Sequence, residues 1–170
     1  MMTVLQTERL TISELTFDDA EFIVELLNDD AFIRYIGDKG VRNVADAREY
    51  LRNGPIGSYE KYGFGLYLVC RRADKLRIGM CGLVRRDGLD DPDVGFAFLP
   101  EYRMNGYAFE STAAVIDHAR RNLGIKRLLG ICNPENHGSI RLLEKAGFVF
   151  ERRTRLSPEA DEVNLYASQA

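Results

Sequence analysis

One strand–loop–helix–strand unit in the middle of the chain restricts the possible folds more than any other feature. Residues 94–99 form an apolar run typical of a buried strand, and residues 106–122 carry apolar side chains at helical spacing. Residues 127–133 form a second apolar run, which ends at Pro134. The connection between the two runs is long enough for a crossover, so the unit predicts a parallel pair of strands.

The segments around this unit predict antiparallel strands and further helices. Short turns separate the predicted strands at residues 65–71, 76–84 and 93–99, which favours antiparallel neighbours. Other predicted strands span residues 9–15, 148–155 and 162–166, and other predicted helices span residues 17–28, 44–53 and 136–146. Gly54-Pro55 ends the middle one of these helices, and residues 58–62 form one more turn. The pattern predicts one mixed α+β domain over residues 1–170.

Charge and cysteine content exclude several classes of function. With 23 basic and 26 acidic residues the net charge is −3, which argues against non-specific nucleic-acid binding. Residues 1–12 lack a secretory apolar core, and no apolar run reaches the roughly 18 residues that a membrane helix needs. We therefore expect a cytoplasmic protein with no membrane partner. Three cysteines lie singly in apolar runs and are expected to be buried thiols rather than disulfides or metal ligands: Cys70, Cys81 and Cys132.

The loop between the central strand and helix has the features of a phosphate site. The N–H groups at a helix start are unpaired and lie at the positive end of the helix dipole. Gly106 allows close approach of a phosphate, and Arg103 is positioned to add a charged contact. Neither a G-x-G-x-x-G fingerprint nor a P-loop is present, so the site differs from those of dinucleotide-binding and P-loop folds. The alternative is an ordinary strand-to-helix turn with an incidental arginine.

Four segments resemble the GNAT superfamily of N-acetyltransferases. The spacing Arg103-x-x-Gly106-x-Ala108 resembles its acyl-CoA pyrophosphate loop. NPENHGSIRLLEKAGF at residues 133–148 resembles the motif after the fifth strand in the RimJ/RimL-like ribosomal-protein branch. The start Thr7-Glu8-Arg9-Leu10 and the run VGFAFLPEY at residues 94–102 are also similar to that branch.

The resemblance implies a GNAT fold and acetyl-CoA as the acetyl donor. The implied fold is a mixed, mostly antiparallel sheet of about seven strands with about four helices, in which the fourth and fifth strands splay apart. Pantetheine would lie between those strands, and the implied cofactor-binding residues are Phe96, Ala97, Phe98, Arg103, Met104, Asn105, Gly106, Tyr107, Ala108 and Asn136. Met104 and Asn105 replace the Gly-Lys often found in this loop, so one cation is lost. No metal is implied.

Candidate catalytic residues follow from acetyl transfer to an amine. Many superfamily members have a tyrosine acid seven residues after the motif asparagine, where this chain has Leu143. Ser139 lies one turn away on the same helical face and is a candidate to hydrogen-bond the CoA sulfur; the alternative is a capping or packing role. Asp93 is a candidate base acting through water, or else a solvated residue of an acidic turn. Glu110 is expected to have a structural role near the helix dipole.

The acceptor stays open at this stage. The leading hypothesis is an N-acetyltransferase acting on a peptide N-terminus or another primary amine. The alternatives are a detoxifying enzyme for an antibiotic, polyamine or amino acid, and a catalytically silent acyl-CoA-binding module. The resemblance also suggests homodimerisation. Two groups of residues are candidates for the acceptor side, with core packing and an exposed turn as their respective alternatives: Tyr35, Tyr59 and Tyr62, and Glu159, Asp161 and Glu162.

Overall fold

A single mixed sheet of eight strands organises the protein, as a computed structural model of residues 2–169 shows; Met1 and Ala170 lie outside the described residues. The strand order is β1-β2-β3-β4-β5-β6-β8-β7, and the β5–β6 pair is parallel while the other neighbouring pairs are antiparallel. The strands are β1 Thr3–Gln6, β2 Leu10–Glu14, β3 Leu66–Arg71, β4 Arg77–Val84, β5 Asp93–Phe98, β6 Leu129–Cys132, β7 Phe148–Thr154 and β8 Val163–Ser168.

Six α-helices lie in the described part of the chain: α1 Ala20–Leu27, α2 Asp30–Tyr35, α3 Val44–Leu51, α4 Gly57–Tyr62, α5 Tyr107–Asn122 and α6 His137–Lys145. Thr16 and Asp19 form a capping box that starts the 3-10 turn before α1. Gly54 leaves helical geometry between α3 and α4, so the predicted break at Gly54-Pro55 is confirmed as a kink. Gly124, with φ of +68°, follows the end of α5.

The described residues form eight strands and six α-helices, where about seven and about four were expected. Two of these elements, β1 and α2, were not predicted. β1 is short and half-exposed, and its burial pattern does not alternate, so it carries no strand periodicity. α2 has only six residues and depends on the Asp29 side chain, which accepts a hydrogen bond from the Phe32 N–H at 3.1 Å. The remaining elements confirm the predicted α+β pattern with ends shifted by a few residues.

The sheet has helices on both faces, and alternation along β5 divides its side chains between them. Val94 and Phe98 lie in the hydrophobic cluster that contains residues of α5 and α6, so we call that side the α5/α6 face. Ala97 packs against the cluster that contains residues of α1 and α3, which defines the α1/α3 face. Since side chains alternate along a strand, Asp93 and Gly95 also belong to the α1/α3 face.

The parallel strands β5 and β6 separate soon after they begin. Their pairing is confined to Asp93 with Leu129 and Val94 with Gly130. β5 stays paired with β4 through Phe98, whereas β6 turns to β8. The unpaired stretch between residues 95–98 of β5 and residues 131–132 of β6 is called the β5/β6 gap below, and it confirms the expected splay.

Within residues 2–169, no helix combines the length and the apolar character needed to cross a membrane.

Candidate active site

The edge of β5 that borders the β5/β6 gap exposes unpaired backbone groups. The Leu99 N–H donates to the Ile78 carbonyl at 3.0 Å, so the odd-numbered residues of β5 exchange hydrogen bonds with β4. Phe96 and Phe98 therefore direct their backbone groups toward the gap, where β6 no longer pairs with them. Of the three predicted pantetheine residues, Ala97 has its backbone committed to β4.

The start of α5 presents a row of free donors next to this edge. The N–H groups of residues 104–109 donate to no residue within the described range 2–169. Met104 and Gly106 both have positive φ, +64° and +82°, which turns successive N–H groups toward one side of the loop. Met104 is fully exposed, so its side chain leaves this concave side of the loop open. The row of donors can hold an anion with several negatively charged oxygens.

Arg103 does not face this row of donors. Its Nε donates to the Phe98 carbonyl at 3.0 Å, and its guanidinium pairs with Asp29 at the start of α2. Its own N–H donates to the Pro100 carbonyl at 3.2 Å. Arg103 therefore anchors the loop to the sheet and to α2, and the sequence-based expectation of a free guanidinium for a phosphate is wrong.

A different arginine, which sequence reasoning did not assign to the site, lies beside the free donors. The Arg9 guanidinium stacks 4.4 Å from the centre of the Tyr107 ring and donates to the Asn105 carbonyl at 2.9 Å. Glu110 holds it in place by accepting from Arg9 Nε at 2.7 Å and from the Arg9 N–H at 2.9 Å. Thr7 donates to the same carboxylate at 2.6 Å. Burial opposes ionisation of Glu110, but these hydrogen bonds outweigh it and lower its pKa.

The resemblance contained the signal for this contact, because Thr7 and Arg9 belong to the Thr7-Glu8-Arg9-Leu10 motif. Their partner Glu110 lies 101 residues after Arg9, and no local periodicity connects the two positions. The expected structural role of Glu110 thus takes the form of a bridge from the first strands to α5.

The start of α6 lies at the end of β6, on the α5/α6 face. Asn136 caps the helix, since its side-chain oxygen accepts from the Ser139 N–H at 3.2 Å. Ser139 is half-buried, and its hydroxyl forms no hydrogen bond to a residue in the described range 2–169. Leu143 is a core residue, 1% exposed, and packs on Gly130: a β-carbon built there would lie 2.6 Å from Leu143 Cδ2.

Asp93 lies on the other face of the sheet, at the closed end of the β5/β6 gap. Its side chain is 1% exposed and accepts from Arg86 Nε at 2.8 Å, so the alternative of a solvated turn residue is wrong. Burial raises the pKa of Asp93 to about 6, against the opposing effect of Arg86. A carboxylate with such a pKa changes protonation state close to neutral pH, as a general base requires.

The α1/α3 face also contains a cavity of about 400 Å³, lined by Lys39, Asp46, Glu49, Tyr50 and neighbouring residues. Burial raises the pKa of Tyr50 to about 12, and the charge of Arg86, the partner of Asp93, opposes the shift.

The tyrosines suggested for the acceptor side include one with a clear structural role. Tyr59 accepts from the Leu15 N–H at 3.0 Å, donates to the Leu66 carbonyl and stacks on Tyr67. Its hydroxyl is thus engaged between two strands, which supports the core-packing alternative for this residue.

All three cysteines are buried free thiols, as predicted. No three His, Cys, Asp or Glu side chains in the described range 2–169 are grouped as metal ligands.

Comparison with known proteins identifies the family. Residues 9–149 match the model of the acetyltransferase (GNAT) domain. The chain is 28% identical over 143 residues to the uncharacterized N-acetyltransferase YnaD of Bacillus subtilis, covering 84% of this chain and 81% of that protein. A GNAT-family acetyltransferase from Bacillus anthracis superposes with a TM-score of 0.78 at 25% identity, over 98% of this chain and 97% of the other.

The fold is also that of a solved complex with coenzyme A. RimL, described as a ribosomal-protein alpha-N-acetyltransferase in complex with coenzyme A, superposes with a TM-score of 0.83 at 15% identity, over 97% of this chain and 96% of the other. At that identity the likeness concerns the fold alone. The family model and the sequence relatives together establish that this chain belongs to the GNAT family of acetyltransferases and is an N-acetyltransferase.

Proposed function

We propose that the protein transfers an acetyl group from acetyl-CoA to a primary amine within a ternary complex, as an enzyme of the RimJ/RimL-like branch. The observation that carries this proposal is the row of free N–H groups at residues 104–109, next to the unpaired edge of β5. A pyrophosphate attached to an extended amide-containing arm is complementary to both features. The amides bind the phosphates at the helix start, and the arm completes the hydrogen bonds that β6 leaves open.

The residues present fit acetyl-CoA without the loop lysine that this sequence lacks. The pyrophosphate accepts from the amides of residues 104–109, and Arg9 adds the missing positive charge next to Asn105 and Gly106. The pantetheine amides pair with the backbone of Phe96 and with the Phe98 N–H, since the Phe98 carbonyl accepts from Arg103, and Asn136 contacts the arm from the start of α6. Arg103, whose donors are engaged elsewhere, supports the loop and is not assigned to the ligand.

The proposed reaction uses both faces of the sheet. The acceptor amine approaches from the α1/α3 face, where Asp93 takes up its proton through water. A free N–H of β5 stabilises the negative charge that develops on the thioester oxygen. The Ser139 hydroxyl, which has no partner in the described range 2–169, hydrogen-bonds the CoA sulfur from the α5/α6 face.

A cationic primary amine is the acceptor class that we propose. Asp46 and Glu49 line one cavity of the α1/α3 face, and Lys39 offsets only one of their two negative charges. The remaining negative charge attracts an ammonium group before it loses its proton. An α-amine has an ordinary pKa of about 8, so a base with a pKa near that of Asp93 can assist its deprotonation. RimL is described as acting on the α-amine of a ribosomal protein, and a peptide N-terminus is the acceptor to test first.

The first experiment measures thermal unfolding with acetyl-CoA, with CoA and without ligand. Saturation at about 100 times Kd should add about 2.7 kcal/mol to the free energy of unfolding. For a chain of this size such a gain raises the thermal midpoint by roughly 5–10 °C. No rise at millimolar acetyl-CoA would contradict the proposed donor.

The second experiment follows thiol release from acetyl-CoA with peptides, polyamines, amino acids and aminoglycosides as acceptors. The expected result is release that requires one class of amine, with peptides the most active class. Binding of acetyl-CoA without release for any amine would favour a silent acyl-CoA-binding module.

A further inference from the structure

Two neighbouring polar side chains of β8 are almost completely buried and retain unused hydrogen-bonding capacity. Asn164 is 7% exposed and Tyr166 is 3% exposed. The Asn164 side-chain oxygen is the one buried side-chain polar atom without a partner in the described range 2–169. Its amide nitrogen donates to the Tyr166 hydroxyl at a long 3.4 Å, and the phenol hydrogen finds no acceptor in the same range. Because buried polar groups are rarely left unpaired, this pair points to a bound ligand.

The pair lies on β8, which β6 separates from the β5/β6 gap. Asn164 is opposite Cys132, the last residue of β6, and Tyr166 is opposite Gly130, where the pairing of β5 with β6 ends. Cys132 and Tyr166 belong to the core cluster of the α5/α6 face. Gly130 has no side chain, and Leu143 from α6 packs into the space above it. Tyr166, the partner of Gly130 on β8, belongs to the same core cluster as Leu143.

Ser139 reaches the same region from α6. Leu143 packs above Gly130, and Ser139 lies one helical turn, about 5.4 Å, before it. Cys132 lies two residues, about 6.6 Å, beyond Gly130 along β6. Ser139 is therefore level with Cys132 and with its neighbour Asn164. Ser139 and the Asn164–Tyr166 pair thus lie on the same face of β6, the strand that borders the part of the gap assigned to the sulfur of CoA.

Among the reacting groups on this face, a thiol matches the hydrogen-bonding groups of Asn164 and Tyr166. Tyr166 offers a hydrogen, and the Asn164 oxygen accepts one, so the matching atom must both accept and donate. The sulfur of CoA does both once the acetyl group has left. The amine also does both, but it approaches from the Asp93 side of the sheet.

We propose that Tyr166 donates its proton to the departing CoA thiolate and that the Asn164 oxygen then accepts a hydrogen bond from the new thiol. The amine nitrogen forms a bond to the carbonyl carbon, and the C–S bond breaks with its electron pair on sulfur. Sulfur takes the proton of the Tyr166 hydroxyl. The proton lost by the amine passes through Asp93 to water, and water returns a proton to the Tyr166 phenolate. Burial raises the pKa of Tyr166, so the group is protonated at neutral pH and available before each turnover. This inference rests on the proposed use of acetyl-CoA.

The test compares Tyr166→Phe with Tyr59→Phe, which removes the same hydroxyl from a half-buried tyrosine outside the site. Tyr166→Phe should lower kcat about 100-fold, as for loss of a general acid, while the thermal shift with acetyl-CoA stays unchanged. Tyr59→Phe should lower the thermal midpoint and leave kcat unchanged. Asn164→Leu should raise the midpoint of the free protein by a few degrees, because it removes an unpaired buried oxygen.

Desulfo-CoA supplies a measurement that needs no acceptor. The wild-type protein should be stabilised more by CoA than by desulfo-CoA, and Tyr166→Phe and Asn164→Leu should each reduce this difference. A Tyr166→Phe enzyme that retains more than a third of the wild-type kcat, or an unchanged preference for CoA, would overturn the inference while the proposed function stands. A wild-type protein without thiol release for any amine would overturn both.

Discussion

Arg9 provides the sharpest test of how this chain binds its donor. We expect Arg9→Gln to raise KM for acetyl-CoA and to leave kcat nearly unchanged. The reason is that the guanidinium lies beside the amides assigned to the pyrophosphate and far from the assigned position of the thioester. The glutamine removes the charge but keeps a polar side chain of similar reach.

The size of the effect follows from the exposure of the side chain. A hydrogen bond to a charged group contributes about 1.5–3 kcal/mol when it is well shielded. The Arg9 side chain is 43% exposed, so solvent screening places its contribution near the lower end of that range. A loss of about 1.4 kcal/mol corresponds to a tenfold rise in KM. The uncompensated Glu110 carboxylate would add repulsion, and Glu110→Gln in the Arg9→Gln background should recover part of the loss.

Two comparisons separate phosphate binding from a general structural effect. Acetyl-pantetheine lacks the phosphates, so its KM should be the same for the wild-type and Arg9→Gln enzymes. Arg72→Gln removes an equal charge from the neighbouring turn between β3 and β4, but its guanidinium donates to the Thr7 and Glu8 carbonyls, so KM for acetyl-CoA should not change. Steady-state kinetics at two salt concentrations should also show a weaker salt dependence for Arg9→Gln.

An equal rise in KM for acetyl-CoA and acetyl-pantetheine would refute this reasoning, because the loss would then not involve the phosphates. The same conclusion would follow if Arg72→Gln raised KM for acetyl-CoA as much as Arg9→Gln does. An unchanged KM for acetyl-CoA would show that the amides suffice.

Three further predictions concern stability. Burial raises the pKa of Asp93 from 3.8 to about 6, so the free energy of unfolding should fall by about 3 kcal/mol as pH rises from about 4 to above 6. Urea titrations of Asp93→Asn should lack this fall. Tyr59→Phe should lower the free energy of unfolding by about 1–3 kcal/mol, because it leaves the Leu15 N–H without its partner; an unchanged thermal midpoint would contradict this. Gly82→Ala should lower the free energy of unfolding by about 3 kcal/mol, because the new methyl group would lie 2.1 Å from the Gly65 carbonyl oxygen. In the matched control Gly138→Ala, the nearest atom to the methyl group is 3.7 Å away, so this variant should unfold like the wild type.

The sequence was sufficient for features that depend on neighbouring residues. The β5–α5–β6 unit could be predicted because apolar periodicity and the turn at Gly106 are local, and the observed bounds differ by only a few residues. Asn136 could be placed at the start of α6 for the same reason. The splay of β5 and β6 came from the family resemblance, since nothing in their composition forbids continued pairing.

Long-range pairing determined what could not be predicted. Whether Arg103 faces a phosphate or Asp29 depends on α2, a helix too short to have a periodic signal. Asp93 was grouped with the acids of its turn, although the position opposite Leu129 buries its carboxylate in the sheet. In both cases a partner distant in sequence sets the environment of a charge, and residue type and spacing do not contain that information.

The same dependence on distant partners explains why the position of Leu143 does not by itself decide whether the protein is a catalyst. Leu143 Cδ2 lies only 2.6 Å from a β-carbon built on Gly130, so α6 approaches β6 closely at this position. This close approach leaves no room for the larger ring of a tyrosine in place of Leu143. The same glycine is paired with Tyr166 on β8. A proton donor for the thiolate can therefore come from the sheet instead of the helix. On this view, the absence of the helical tyrosine reflects a tighter packing of α6, and an active enzyme remains the expectation.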